Sequence, residues 1–357
     1  MTYIEQLNED CKQKLQCPSC RGTLSLDEES HLICMSCGLS FDFDKSAKFC
    51  SLLLKFKNVV KTDIRQFWGD LYKQLYSKND SVLNTDLLNA QLIDLEDLFY
   101  KRGHLATSEM SLPKLKGKNV LEIGSGGGGH SCLFQSHGAH MTSVDITIER
   151  VMSTALKLGM LEKNTGMVYQ ADAENLPFHE NSFDVVYSNG VLHHSSSTRK
   201  CVDEVFRVLR PGGKAIIMLY SRHSASFWLN IFLRGILSGE IFSRSEAEWI
   251  GRVTEGKPKF GTTKNPITRV YSNKEVLLLF EKFLDIQLRK SSFQFDNIAI
   301  PRMTQFRAKL LDLMGKVPHP GGRLIYGNPV YIETYLEMWL GQFFGFAWNI
   351  QATKPSR

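Results

Sequence analysis

The chain is 357 residues long, 43% hydrophobic and 22% charged, proportions of a globular protein that can bury one large core or two to three modest ones. No run of eighteen uncharged apolar residues occurs, and the opening MTYIEQLNEDCK lacks the basic-then-apolar order of a secretory leader, so a cytoplasmic protein without a membrane span is expected. The net charge of +6 is uneven: residues 1–50 carry five Lys/Arg against eight Asp/Glu, residues 51–220 nineteen against eighteen, and residues 221–357 nineteen against eleven. A basic C-terminal third suits an anionic substrate, an acidic carrier or a membrane surface, and equally a solvated basic face.

Four of the eight cysteines form two knuckles, Cys17-Pro-Ser-Cys20 and Cys34-Met-Ser-Cys37, separated by thirteen residues, enough for a short hairpin. Four thiolates delivered this way match tetrahedral Zn²⁺ and leave no open coordination position, so Cys17, Cys20, Cys34 and Cys37 are expected to hold a structural zinc ion. Residues 1–48 then form a zinc ribbon that draws much of its folding energy from the metal. Loss of these thiols is expected to unfold the ribbon and leave the rest of the chain folded. The other cysteines, Cys11, Cys50, Cys132 and Cys201, are scattered.

Residues 49–112 read as a helical connector or cap, since IRQFWGDLYKQLY and NTDLLNAQLIDLEDLFYKR both space apolar residues three and four apart. Packing against the following domain accounts for most of this segment. His104, just before the next region, is a candidate substrate contact. From Lys118 short β-rich runs alternate with helical ones: 119–123, 140–145, 167–171, 183–188 and 214–220, with LRPGG before the last as a helix stop and tight turn. Two further strands are expected at 284–295 and 345–354, with 221–282 and 296–344 as insertions. The fold class is α/β: a seven-stranded, doubly wound, Rossmann-like sheet with an N-terminal ribbon and helical lid insertions. Its core spans 113–223, and 224–357 holds the lid and the last two strands.

Between the first strand and the next helix lies GSGGGG, residues 124–129. A strand-to-helix glycine turn lets a cofactor lie on bare backbone, and the spacing Gly124, Gly126, Gly129 even satisfies GxGxxG, with Asp145 at the end of the next strand as a ribose acid. That pattern alone fits NAD and S-adenosylmethionine (SAM) equally. Glu122, inside the first strand, favours SAM, because a carboxylate there would repel a pyrophosphate but suits a cationic amino-acid end. Asp172 follows the third strand, placed to accept adenine amino hydrogens, with the Ala173 N–H beside it for a ring nitrogen.

Taken in order, VLEIGSGGGG, Asp145, ADAENLPF, FDVVYSNGVLHH and RVLRPGG resemble the successive motifs of class I SAM-dependent methyltransferases, and most of all the type 11 group that includes the ubiquinone/menaquinone C-methyltransferases. The resemblance covers about residues 117–220. It implies that Gly124, Gly126 and Gly128 line the methionine moiety, that Asp145 binds the ribose, and that Asp172 and Ala173 bind adenine. Glu122, Ser125, Ile146 and Asn189 complete the expected cofactor contacts. The additional glycine is a departure from the family pattern.

Methyl transfer needs a nucleophile close to the sulfonium carbon and, for some acceptors, a base. His193 and His194 after the fourth strand, then Tyr220 and His223 after the fifth, are the candidate bases. The segment SNGV replaces the Asn/Asp-Pro-Pro-aromatic arrangement of base N-methylation, so a small-molecule acceptor, with O, N or C as the receiving atom, is expected. Two alternatives stand: an rRNA base methyltransferase carrying a zinc ribbon, disfavoured by the acidic ribbon segment, and a SAM-binding interaction module without catalysis. A protein partner through the ribbon fits either. The runs SFWLNIFLRGILSG (226–239) and YLEMWLGQFFGFAW (335–348) are apolar nearly all round, as for a lid packed on the core, a greasy pocket or a peripheral membrane contact. Arg222, Lys257, Lys259, Lys264 and Arg269 would add affinity for an anionic or amphiphilic acceptor.

Overall fold

The structure, a computed structural model, describes residues 2–27, 31–55, 59–75, 77–161, 166–254 and 264–356. Its strands are β1 (Leu24–Leu26), β2 (Leu32–Cys34), β3 (Ser40–Phe41), β4 (Phe43–Asp44), β5 (Phe49–Ser51), β6 (Asn119–Ile123), β7 (His140–Asp145), β8 (Met167–Gln170), β9 (Phe183–Asn189), β10 (Leu209–Tyr220), β11 (Leu284–Ser291) and β12 (Ala347–Thr353). The strands β1, β2 and β3 form a small antiparallel sheet, and the others one nine-stranded sheet in the order β11-β12-β10-β9-β6-β7-β8-β5-β4. The pairs from β10 through β8 are parallel, while β12 runs antiparallel to both β10 and β11. All seven expected strands are present. Chain order reverses between β6 and β9, and a doubly wound sheet opens a ligand crevice beyond its strand ends at such a point.

The alternation of side chains along the strands sorts the core into two layers. Leu121, Ile123, Val186 and Ile217 face one layer, whereas Val120, Val185, Tyr187 and Ile216 face the other. The first layer also contains Leu7, Cys11 and Leu15 of the N-terminal helix region, Cys17 and Cys34 of the ribbon, and Cys50. The ribbon and the sheet are therefore one apolar body. Polar contacts bind them too: Lys14 Nζ donates to Thr142 Oγ1 at 3.2 Å, Arg21 to the Leu176 carbonyl at 2.7 Å, and the Tyr169 hydroxyl to Asp10. The strand β5 pairs in parallel with β8, Cys50 against Tyr169 and Ser51 against Gln170, and β4 closes the edge.

Two features differ from the sequence reading. The nine-stranded sheet gains β4 from the end of the expected ribbon and β5 from the start of the expected helical connector. The LRPGG segment lies within β10, whose pairing with β9 shifts register between Leu209 and Lys214 where Gly212 takes φ +76°, so the expected turn is an irregularity inside the strand.

Candidate active site

At the C-terminal ends of β6, β7 and β8 lies a cavity open to solvent, about 690 Å³ with its solvent-filled mouth included. Its floor includes Gly124, Asp145, Ile146, Asp172 and Ala173, with Val191 of the segment after β9 at its side. Its roof comes from the Val59–Leu75 helix, which contributes Lys61, Ile64 and Trp68. Packing, expected to account for most of residues 49–112, is thus not the whole role of this helix. Lys61 Nζ lies 2.5 Å from Asp172 Oδ2 and 2.9 Å from Glu174, and Trp68 lies under Arg150 and beside His194, 5.2 and 4.9 Å away. The neighbouring carboxylates hold the Lys61 ammonium above its ordinary range despite burial.

The turn after β6 explains its glycines one by one. Gly124, Gly126 and Gly128 have φ of +79°, +56° and +80°, the left-handed region that L side chains rarely adopt. Gly129 has an ordinary φ, opens the Gly129–Ser136 helix and packs against Ile325 and Leu324, so the GxGxxG spacing is incidental. The Gly126 N–H donates to Asp145 Oδ2 at 3.2 Å, and Asp145 Oδ1 accepts from both the N–H and hydroxyl of Thr147 at 3.0 Å. These bonds fix the carboxylate at the cavity wall. Asp172 Oδ1 accepts from the Glu174 N–H at 2.9 Å. Ser125 turns away from the cavity, its hydroxyl 2.9 Å from that of Thr154.

Glu122 is buried beneath this turn, where it accepts a hydrogen bond from Ser131, whose hydroxyl is also 2.7 Å from that of Ser143. Burial pushes the Glu122 carboxyl up from 4.5 to about 8. Because the folded value is raised, the neutral acid is the form the fold prefers: this group's contribution is fully present below pH 4.5 and is lost as pH rises toward 8. Glu122→Gln, which mimics the neutral acid, is therefore expected to stabilise the cofactor-free protein at pH 7 by about 3 kcal/mol. The two proteins should converge near pH 4.5. Urea unfolding at both pH values checks this, and a pH-independent gap would refute it.

The four candidate bases occupy four different environments. His193 is fully buried between Tyr220 and His194, ring centroids 3.9 and 4.2 Å away, and lines neither this cavity nor the larger one described next. His194 lines the cavity, with Nδ1 3.0 Å from Thr268 Oγ1 and 3.1 Å from Asn265 Nδ2, and burial pushes it down to about 3. Tyr220 stacks on Phe346, and His223 is exposed, its carbonyl accepting from Lys290 at 2.5 Å. Of the four, only His194 reaches the cavity.

Asn189, at the end of β9, faces a second and larger cavity, about 1410 Å³ with its solvent-filled mouth included, while the next residue, Gly190, lines the first. Arg102, His104, Met218, Arg289 and Asn349 line this second space, residues drawn from four separate segments. His104 Nε2 is 3.3 Å from Asn189 Nδ2, and its ring stacks on Phe99 at 3.8 Å and 9°. Since its Nδ1 accepts the Ala106 N–H at 3.2 Å, the neutral ring carries its proton on Nε2. Burial and the adjacent His130 hold His104 well below the usual histidine range, so it stands at the cavity as a neutral ring. The cavity's two arginines are paired, Arg102 with Glu333 and Arg289 with Glu109.

The basic residues expected to attract an anion are engaged elsewhere. Arg222 pairs with Glu246 at 2.7 Å, Lys264 with Glu240 at 3.0 Å, and Arg269 donates to the carbonyls of Ser195 and Ser196 at 2.6 and 2.8 Å. Lys257 and Lys259 lie outside the described residues. In the ribbon, the thiol sulfurs of Cys17, Cys20, Cys34 and Cys37 all lie within 4.8 Å of one another, and the Ser19 N–H points at the Cys17 sulfur at 3.4 Å. With four sulfur donors and no carboxylate in the group, this set fits tetrahedral zinc.

Residues 121–217 match the family described as methyltransferase domain. Phosphoethanolamine N-methyltransferase 2 of Caenorhabditis elegans is 32% identical over 30% of this chain and 24% of its own length. The ubiquinone/menaquinone biosynthesis C-methyltransferase of Haemophilus ducreyi is 28% identical over 47% of this chain and 62% of its own length. The matches thus span less than two thirds of either relative. Among solved structures, phosphoethanolamine N-methyltransferase 2 of Haemonchus contortus, in complex with phosphomonomethylethanolamine and S-adenosylhomocysteine, is 18% identical, covering 81% of this chain and 60% of that one with a TM-score of 0.46. The strand order, the glycine turn and the family match together place residues 121–217 in the methyltransferase domain family.

Proposed function

We propose that the chain is a SAM-dependent methyltransferase acting on a small molecule, built as a ribbon (1–48), a helical cap (49–112), a cofactor-binding core (113–223) and a lid with the last two strands (224–357). The observation that carries this reading is the pair Asn189 and Gly190, consecutive residues at the end of β9 that face two different cavities. One cavity has Gly124 at the start of the glycine turn and two carboxylates suited to an adenosine and methionine; the other has room for an acceptor. The cofactor, when bound, supplies an activated methyl group. What the protein adds is placement: Asp145 for the ribose hydroxyls, Asp172 and the Ala173 N–H for adenine, and the turn of Gly124, Gly126 and Gly128 for the methionine end. Ile146 and His194 enclose the adenosine, and Trp68 covers it and excludes water. His104 and Asn189, in contact at 3.3 Å on the wall of the second cavity, are placed to orient the acceptor as a pair. A structural Zn²⁺ held by Cys17, Cys20, Cys34 and Cys37 completes the ribbon.

Asp172→Ala should weaken S-adenosylhomocysteine binding roughly 10- to 100-fold, the loss of a hydrogen bond to a charged group. The Lys61 ammonium keeps Glu174 as a partner, so the fold should hold. Calorimetry measures this directly; an unchanged dissociation constant would remove the adenine assignment. The reading as a whole is tested by titrating SAM and NAD separately and then screening for S-adenosylhomocysteine release with quinols, phosphorylated amino alcohols and RNA as acceptors. Binding of NAD without SAM would overturn it. Release with RNA alone would favour the ribbon-bearing rRNA enzyme.

A further inference from the structure

The lid turns an unusual amount of apolar surface outward. Of the 31 exposed large apolar side chains among the described residues, 22 lie after Tyr220, in the basic third of the chain. Leu237, Phe242, Leu313, Val317 and Tyr335 are each at least 80% exposed. They are organised by helix geometry. In the Met303–Leu313 helix and the turn after it, Phe306, Leu310, Leu313, Met314 and Val317 form a stripe at three- and four-residue spacing on the outer side, while Arg307 and Leu311 face inward. In the Tyr335–Phe344 helix, Tyr335, Trp339 and Phe343 repeat every four residues outside, with Glu337 and Gly341 buried opposite. Around residues 227–237, Trp228, Leu229, Leu233 and Leu237 do the same.

These helices adjoin one another. Arg307 is ion-paired with Glu337 at 2.7 Å, and Ala299, in the segment that leads into the Met303–Leu313 helix, donates its N–H to the Leu229 carbonyl at 3.1 Å. The inner side of the Tyr335–Phe344 helix lines the larger cavity through Glu337, Met338 and Gln342. Interspersed with the apolar stripes are Arg234, Arg302, Lys309 and Lys316, all exposed and without a carboxylate partner among the described residues. By contrast, Glu240 at the margin is already held by Arg244, Arg252 and Lys264.

From this arrangement we propose that the outer face of the lid docks on an anionic lipid bilayer, lying in the interface beside the mouth of the larger cavity. No helix among the described residues is long and apolar enough to cross a membrane, so the mode is surface insertion of apolar stripes with Lys and Arg reaching headgroup phosphates. Complementary charge selects lipid over a second copy of the chain, because self-association would join two surfaces on which these four cations outnumber the exposed Asp312. The inference is independent of methyl transfer.

Flotation of the full chain with phosphatidylcholine vesicles, with and without phosphatidylglycerol, tests it. At least about tenfold stronger partitioning onto phosphatidylglycerol-containing vesicles is expected, falling with added salt. Two double variants, Leu313→Asp with Val317→Asp and Lys309→Glu with Lys316→Glu, should each reduce it about tenfold or more while thermal unfolding and S-adenosylhomocysteine affinity stay unchanged. Failure to bind phosphatidylglycerol vesicles, or binding indifferent to both variants, overturns the proposal. So does a dimer, seen by analytical ultracentrifugation, that these substitutions dissociate.

Discussion

Replacing Cys17 and Cys34 with serine is expected to destabilise the entire chain in one transition, with cofactor binding lost together with the ribbon. A four-thiolate zinc site contributes on the order of 10 kcal/mol, comparable with the whole stability of an ordinary domain. An isolated ribbon would confine that loss to itself. Here Cys17 and Cys34 are buried in the same apolar layer as Leu121 and Ile123, and Arg21 also pairs with Glu204 at 3.1 Å. The ribbon is followed directly by β5, which pairs with β8, and β8 leads into Ala171 and Asp172 on the cofactor cavity. This reverses the expectation drawn from the sequence, in which a zinc-dependent unit would unfold alone. Thermal unfolding of the double variant, followed by circular dichroism and by S-adenosylhomocysteine titration, decides between them. Two separate transitions with the cofactor affinity intact would show that the shared layer is energetically dispensable.

The second large effect is expected from Gly124→Ala. A Cβ at this position would fall 2.2 Å from Val191 Cγ2 and 2.7 Å from Cγ1, and the residue holds φ +79°. The left-handed conformation alone costs an L residue about 1–2 kcal/mol, and relief of the clash must move either the turn or Val191, both of which face the cofactor cavity. S-adenosylhomocysteine affinity should fall at least about 100-fold, since either movement displaces a wall of the cavity. Gly127→Ala is the matched control: its φ is ordinary and the nearest atom to a new Cβ is the Leu324 carbonyl oxygen at 3.5 Å. It should bind within a few-fold of the parent. Equal losses in the two variants would mean that the turn needs flexibility as such, rather than space at Gly124.

The parallel core was legible because each of its strands is a short β-rich run bounded by turn residues, and because the carboxylates Asp145 and Asp172 follow strand ends at which a doubly wound sheet opens. The strands β4 and β5 were not, since two and three residues show no periodicity, and only the pairing of β5 with β8 and of β4 with β5 defines them. The roof of the cofactor cavity was hidden for a related reason. Lys61 and Trp68 sit on a helix whose apolar spacing explains its packing, and nothing local announces that they meet Asp172 and His194 more than a hundred residues away. His193 and His194 were indistinguishable as neighbours in sequence; the short helical turn they occupy sends one ring between Tyr220 and its neighbour and the other to the cavity. The acceptor-sized cavity draws Arg102, Asn189, Arg289 and Asn349 from distant segments, so no motif could have assembled it.

The seam between β5 and β8 also sets an order of assembly during synthesis. Cys50 and Tyr169 are register partners separated by about 120 residues, and non-local pairings of this kind form late. At roughly 5–20 residues per second, the ribosome delivers β8 on the order of ten seconds after β5. Throughout that interval the apolar side of the ribbon has no sheet to cover it. The part of this chain made earlier is thus among the last to be locked, and its exposure to aggregation is set by translation speed as well as by its own composition.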